Sequence, residues 1–580
     1  MKISAPDLRI AFFLLLFILL LLTRPGSSRS GETGGLIWEN PLPQGNPILS
    51  LSGRSENDVF GVGEMGTILH FNGSGWEKME SGTPLFLSSV WAAPNGELFA
   101  AGYNGLILHH DAAGWKPMPV DATNDLNGIW GSGPKDVFAV GDRGTVLHYD
   151  GTSWTRMESG HENLLFGVWG SGPGDVYAAG GRSTLIHYDG KKWSPVPIPV
   201  EAHLVNVWGT SPKDVFVVGD GGLILHYDGD TLSSMSSGIK ELLYTAWGSS
   251  PSDVYAAGEN GALIHFDGKT WTRIGLDTDE TIRSLWGSGP DSIYASGDSG
   301  LLLYFDGKAW KFISMGVHND LHDVRIVPPG GLVAVGDHGT ILARKKARWE
   351  VIPSPTESPL FRIREAGPGN LVIVGEGGTV LRSKGAAWEN QISGTDQDLL
   401  DLWFSGPDRG FAIGRGGTIL SYDGSAWTPM KSGVSDDLYG LWGSSGGDLF
   451  AVGDHGRIMH FDGRKWESQS SGGDTALYGV WGTDSGDVWA VGDRGRILQY
   501  QKGDWVRMTA PTMAPLTGIR GRSATDIYVT GDAGLLLHFN GTEWKTLPSG
   551  TFYRLAAVQP LGPGESFVTV GEGGTVLFRR

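Results

Sequence analysis

The 580-residue sequence contains no cysteine. No disulfide and no thiolate metal site can form, so the fold is held by packing and hydrogen bonding alone. Charge is scarce and one-sided: charged residues make up 19%, and 45 Lys and Arg against 63 Asp and Glu leave a net −18. Phosphate backbones require a basic footprint, and its absence excludes nucleic acid as a general partner. Long apolar runs are missing beyond one at the start, Ile10 to Leu22, which follows Lys2 and Arg9 and precedes Pro25, Gly26, Ser27 and Ser28. Such a run suits the core of a secretory signal and is short for a membrane span, which needs about 20 residues. Residues 1–30 are therefore expected to be a signal peptide, with an uncleaved anchor as the alternative. Either implies export to a periplasmic, cell-surface or secreted location. A sustained helical period is also lacking.

Glycine is abundant, at 91 residues, and tryptophan reaches 23. The glycine is periodic. Gly63, Gly102, Gly141, Gly180, Gly219, Gly258, Gly297, Gly336, Gly375, Gly414, Gly453, Gly492 and Gly531 follow one another at 39 residues, and Gly571 comes after a gap of 40. Each repeat reads as four short strands, here called a to d. In one repeat these are "LFGVWG", "DVYAAG", "TLIHYD" and the segment around Trp193, separated by Ser-Gly-Pro, Gly-Gly-Arg and Asp-Gly turns. Four strands in about 40 residues make one blade of a β-propeller. The fold class is all-β, with fourteen four-stranded blades most simply divided between two tandem seven-bladed rings. The chain opens on a d-like strand around Trp38 and stops after a c strand. The expected closures give Trp38 to the first ring (35–306) and Trp310 to the second (307–580), with the junction near Asp306-Gly307.

The c–d hairpin "HYDGTSW" resembles a shortened Asp-box, the turn of sialidase-type propellers grouped with BNR and YVTN-type repeats. The "GTILHYDG..W" unit is similar to repeats of exported photosystem II assembly-factor-like propellers. The resemblance implies the propeller fold over about nine-tenths of the chain. Its members include enzymes, lectin-like proteins and assembly factors, so it leaves the activity open.

Residues that look like chemistry must be weighed against the repeat. Nine tryptophans share one strand-a position and thirteen share the strand-d position, where only Leu232 departs. They are expected to be wedges between blades. His148 belongs to a series with His70, His109, His187, His226, His265, His460 and His538. Equivalent positions in neighbouring blades lie on the order of 10 Å apart, too far to share a zinc whose ligands sit at about 2 Å. A structural hydrogen bond is expected instead, and no metal or cofactor. The acid after the turn glycine, Asp142 in the third blade, recurs in eleven of fourteen repeats, with Tyr103, Gly181 and Arg415 as exceptions. It is expected to bond its own turn backbone. With Asp277, Asp279, Glu280, Asp396, Asp398, Asp436 and Asp437 of the d–a loops it should make one face of each ring acidic. "DTDE" at Asp277 to Glu280 lacks the other ligands of a calcium loop.

The template breaks in two ways. Arg325, Arg364 and Arg520 replace the strand-a tryptophan, a costly choice unless they are paired or face water. "ARKKARW" replaces an Asp-Gly turn and sets Arg344, Lys345, Lys346 and Arg348 beside Arg382 and Lys384. This basic run is a candidate contact for an anionic partner or a lipid headgroup, the bland alternative being a solvated charge run. No P-loop, dinucleotide fingerprint, zinc-ligand spacing or nucleophile elbow occurs, and no catalytic residue is assigned. The best reading is a non-catalytic scaffold or assembly factor of the cell envelope that binds another protein. The alternatives are a lectin-like polysaccharide binder and a two-propeller glycoside hydrolase. A hydrolase needs two carboxylates about 5 to 9.5 Å apart.

Overall fold

A computed structural model of the chain describes residues 36–40, 45–314, 317–327, 330–345, 348–385, 387–484, 486–562 and 566–579. The expected signal segment lies outside these residues. Among them the chain forms fourteen antiparallel four-stranded sheets, thirteen in the order a-b-c-d from consecutive strands. The third blade shows the pattern: a is Leu126–Gly133, b is Asp136–Gly141, c is Val146–Tyr149 and d is Trp154–Met157. Strand b alternates little and is buried along its length, because both faces of a blade are covered by neighbouring blades. The turn after it forces Arg143 to φ 53, and the carbonyl of Asp142 accepts from the Thr145 N–H at 3.1 Å.

Neighbouring blades share one apolar layer at each interface. Between the second and third blades, Phe99, Ala101 and Ile107 of one pack with Ile129, Leu147 and Trp154 of the other. The strand-d tryptophans are thus wedges, as the period suggests. The strand-a tryptophans do the same nearer the axis. Trp91 lies over Gly131 of the next blade, where an added Cβ would stand 2.8 Å from the indole. Each such pair needs a glycine opposite each tryptophan, and this explains the recurrent Trp-Gly dipeptide.

Strand a of the first blade (Ile48–Ser55) packs against strand a of the seventh (Ile282–Gly289), and strand a of the eighth (Leu321–Val327) against strand a of the fourteenth (Leu555–Pro560). The fourteen blades therefore close as two rings of seven. The closures differ from the expected ones. Trp310 pairs with Phe305 inside the seventh blade, across the Asp306-Gly307 turn. The N-terminal strand, Leu36–Asn40, pairs with the last strand of the chain, Trp38 opposite Leu577, and completes the fourteenth blade. The reason is local. Asp306 takes the Lys308 and Ala309 amides on its carboxylate like every intact c–d turn, so the seventh blade finishes its own hairpin. Among the described residues, the only c strand without a d strand following it is then Val576–Arg579. The first ring spans blades at 48–312, and the second consists of 321–579 together with 36–40. In sequence, the first ring is inserted into the second.

Two devices secure this arrangement. Asn40 donates through Nδ2 to the Val317 carbonyl at 3.1 Å and accepts the Val317 N–H at 3.1 Å, splicing the N-terminal strand to the linker that leads into the eighth blade. Glu39, nearly buried, takes both arms of Arg344 at 2.6 and 2.8 Å and the indole N–H of Trp349 at 3.2 Å. Arg344 also lies over the Phe578 ring.

Candidate functional site

The histidine series resolves into one repeated hydrogen bond. His148 Nε2 meets Asp136 Oδ1 at 2.7 Å, with Ser132 donating to the other oxygen, and the imidazole rests on Phe138. The same contact joins His70 to Asp58, His109 to Glu97, His187 to Asp175, His226 to Asp214, His265 to Asp253, His460 to Asp448 and His538 to Asp526. Each pair ties strand c to the start of strand b within one blade. Burial would raise the Asp214 carboxyl, but the His226 and Thr210 hydrogen bonds outweigh it and hold it below the ordinary range.

The two periodic acid series behave oppositely. At the c–d turns, Asp150 accepts a hydroxyl and two backbone amides from Thr152 and Ser153 and falls to about 2. The acids after the turn glycine do not bond their own backbone, contrary to expectation. Four of them reach back over strand a of their own blade: Asp142 accepts from Asn127 at 3.1 Å, Asp298 from Arg283 at 2.8 Å, Asp337 meets His322 at 2.7 Å, and Asp454 accepts from Tyr439 at 3.0 Å. The positive φ at the following residue curls the turn inward and half-buries the carboxylate, which a surface Asx turn would leave in water. Burial accordingly raises Asp142, Asp220 and Asp532. The acid just before strand a accepts the amide of the positive-φ turn position in the preceding blade: Asp125 from Asn104, Asp398 from Gly377, Asp437 from Gly416, and Asp320 from Gly573 across the second ring's seam. Several of the predicted face acids are therefore latches between blades, while Asp277, Asp279 and Asp396 remain exposed.

The first ring's seam lacks this latch, since Pro47 precedes its opening strand. The Ser299 amide instead donates to the hydroxyl of Tyr553, a residue of the second ring, at 2.8 Å. Phe552 beside it stacks on Phe86, which stacks on Tyr103 of the first ring. Glu64, near this junction, rises to about 7, first through burial and then through Asp298, while Arg283 opposes the shift. Burial, with Glu64 and Asp298 adding, also lifts the Tyr553 phenol far above its usual range.

The basic run is divided among partners. Arg344 is engaged by Glu39 in the chain's own N-terminal strand, so this residue is a seam clamp. Lys345 pairs with Glu350 and Lys384 with Glu389, both exposed pairs of little energetic weight. Arg382 reaches Asn370 and Tyr422. Lys346 lies outside the described residues, and of Arg348 the structure describes only the backbone, paired with Lys345. Glu39 escaped sequence reasoning, although its place one residue from Trp38 was visible.

The three strand-a arginines come together. Going round the second ring, the position held by tryptophan elsewhere carries Arg325, Arg364, Trp403, Trp442, Trp481, Arg520 and Gln559. Because the ring closes between the fourteenth and eighth blades, Arg520, Gln559, Arg325 and Arg364 form one continuous half-wall, and the three tryptophans form the other. Together they line an axial cavity of about 370 Å³. Arg364 bridges Asp323 at 2.5 Å and Asp401 at 2.6 Å. Arg325 donates to the Ile363 carbonyl at 3.1 Å and to Gln559 at 3.3 Å, with Asp323 at 3.5 Å. Both aspartates replace the Ser or Thr that latches strand a elsewhere: Ser89 accepts the Ile129 amide, as Asp323 accepts that of Ile363 and Asp401 that of Leu441. Burial pushes Asp401 up against the pull of Arg364 and Arg362.

No protein-family model matches the chain, and no curated protein matches its sequence. Solved structures do. PorZ, a surface component of the type-IX secretion system of Porphyromonas gingivalis, aligns over 94% of this chain and 87% of its own at 14% identity, with a TM-score of 0.64. The GH74 xyloglucanase of Xanthomonas campestris aligns over 96% of this chain and 99% of its own at 12% identity, with a TM-score of 0.61. YCF48 from Cyanidioschyzon merolae covers 48% of this chain and all of its own at 16% identity, with a TM-score of 0.40. At such identities likeness shows the fold alone: the chain is a tandem β-propeller. Among the described residues no helix is long and apolar enough to cross a membrane.

Proposed function

We propose that this is an exported, non-catalytic propeller scaffold of the cell envelope. It grips a cationic segment of a protein partner on the face formed by the b–c and d–a loops. The acidity of that face carries the reading. Its latching carboxylates are half-buried and spent within the fold, but Asp277, Asp279 and Asp396 stand exposed beside them on loops kept short by the 39-residue repeat. Short loops on a broad surface with exposed carboxylates favour steering and holding an extended partner over enclosing a small substrate.

Crosslinking in the native envelope, followed by identification of partners, tests this reading. Replacing Asp277, Asp279 and Asp396 with Asn is expected to reduce recovery of basic partners severalfold, and added salt should do the same to the wild type. Unchanged recovery from the triple variant overturns it. New reducing ends from a polysaccharide panel would overturn the non-catalytic part.

A further inference from the structure

The axial cavity of the second ring combines two properties that a filler of the ring centre does not need. One half-wall is cationic and the other aromatic, and its cations are not all used. Arg325 and Arg364 are held by Asp323, Asp401, Gln559 and the Ile363 carbonyl. Arg362 donates to the carbonyls of His322 and Phe361. Glu365, exposed at the edge, accepts the Gly369 amide. The Arg520 guanidinium makes no hydrogen bond or ion pair with any described residue, while its backbone pairs with Tyr528 in the sheet. Burial draws its pKa down, and the charge of Asp323 only partly compensates. A guanidinium stays charged in a protein, and Arg520, half-buried against the channel, carries the cost of partial desolvation with no partner to offset it. A glutamine, as at position 559, would fill the place without that cost.

Across the axis stand Trp403, Trp442 and Trp481, half-buried and lining the cavity. The cavity is within the usual size range for small-ligand sites, from about 300 to 1,000 Å³. A second cavity of about 370 Å³ shares Arg362, Tyr478, Thr517 and Ala556 with it and continues it toward Asp493, Asp532 and Arg554 at the b–c and d–a face. In the first ring the corresponding positions hold Ser52, Trp91, Trp130, Trp169, Trp208, Trp247 and Trp286, with no arginine. The cationic half-wall therefore belongs to one ring and is not part of building a propeller.

We infer that the second ring's channel binds a small organic anion, a carboxylate or phosphate carried on a planar apolar body, with the oxyanion on Arg520 and the apolar body against the tryptophan half-wall. Guanidinium supplies forked donors that match an oxyanion, and tryptophan supplies area for a ring. This site is separate from the acidic outer face, and either can fail without the other.

Calorimetric titration of the full chain with phenyl phosphate, benzoate, inorganic phosphate and phenol tests the inference. At least one of the two aromatic anions should bind at least tenfold more tightly than both phenol and inorganic phosphate. Comparing phenyl phosphate with benzoate then separates the two anion classes. Arg520→Gln should lower that affinity at least tenfold, and Arg520→Lys should retain part of it. Because Arg520 has no partner to lose, Arg520→Gln should melt no lower than the wild type. A clear fall in its melting temperature would make Arg520 structural and overturn the inference. So would equal binding of phenol and the aromatic anions, no binding of either anion, or unchanged affinity in Arg520→Gln.

Discussion

The two rings are built from one repeat, yet they close differently and enclose different centres. The first ring closes by side chains alone: Ser284 accepts the Leu51 amide, Ser296 donates to the Ile48 carbonyl, and Tyr294 donates to the Glu56 carbonyl. The second closes through a strand brought from the far end of the chain, clamped by Glu39 and spliced by Asn40. The first ring's centre is nearly all tryptophan over glycine, while half of the second's is arginine and glutamine. Six of the first ring's seven strand-a positions carry tryptophan, and that ring closes without strand exchange. The second ring gives up that packing over four consecutive blades, from the thirteenth through the fourteenth and eighth to the ninth. Its strand closure lies within this weakened arc.

The sharpest break in the comparison is Trp38→Ala. Trp38 is buried in the apolar cluster of the fourteenth blade with Tyr528, Leu555 and Leu577. Its truncation should cost about 4 kcal/mol, all of it in the second ring. Hydrogen exchange resolved by blade is the measurement. Protection should fall in blades eight to fourteen and hold in blades two to six. Loss concentrated in the first ring would mean that Trp38 closes that ring after all.

A second test uses pH. The folded Glu64 titrates near 7, above its ordinary value of 4.5. Between these values the folded chain holds a proton that the unfolded chain has released, so this group's contribution to stability falls as pH rises from 4.5 to 7. It imposes no cost below that window and a full cost, on the order of 3 kcal/mol, above it. Glu64→Gln keeps the shape and removes the titration. Relative to the wild type it should gain stability in urea unfolding between pH 5 and pH 8. The other raised carboxylates, Asp142, Asp220, Glu280, Asp401 and Asp532, are present in both proteins and cancel. A difference that does not change with pH would remove Glu64 from the account.

The blades were legible in the sequence because everything that makes a blade is local. The turn glycine, the Asp-Gly hairpin and the histidine twelve residues after its aspartate all fall within one period. What a ring does as a ring was not legible. Glu39 meets Arg344 across 305 positions, and Arg325 meets Gln559 across 234. A one-dimensional period says nothing about which ends meet. Arg325, Arg364 and Arg520 stood out as departures from the template, but their convergence required the seam. Gln559 was masked by the one-residue lengthening of the last repeat. The turn acids were misread for a different reason: the Asx rule holds for exposed c–d turns, whereas the inward curl of the b–c turns directs their acids to strand a.

The smallest effect concerns the seam that the first ring cannot latch by itself. Asn104, Gly377 and Gly416 donate their amides to an aspartate of the next blade, whereas Ser299 donates to the hydroxyl of Tyr553 from the other ring. Tyr553→Phe removes one oxygen and keeps the ring in place, so the packing around Phe552 and Phe86 survives. The Ser299 amide is left without its acceptor, at a cost of about 1 kcal/mol. Exchange at Ser299 should speed severalfold in the variant while Asn104, Gly377 and Gly416 stay as they were. If all four amides accelerate together, the hydroxyl acts on the whole junction. If none does, the Tyr553 hydroxyl does not latch the first ring, and the junction rests on the stacking and on the Asn46–Gly550 hydrogen bond.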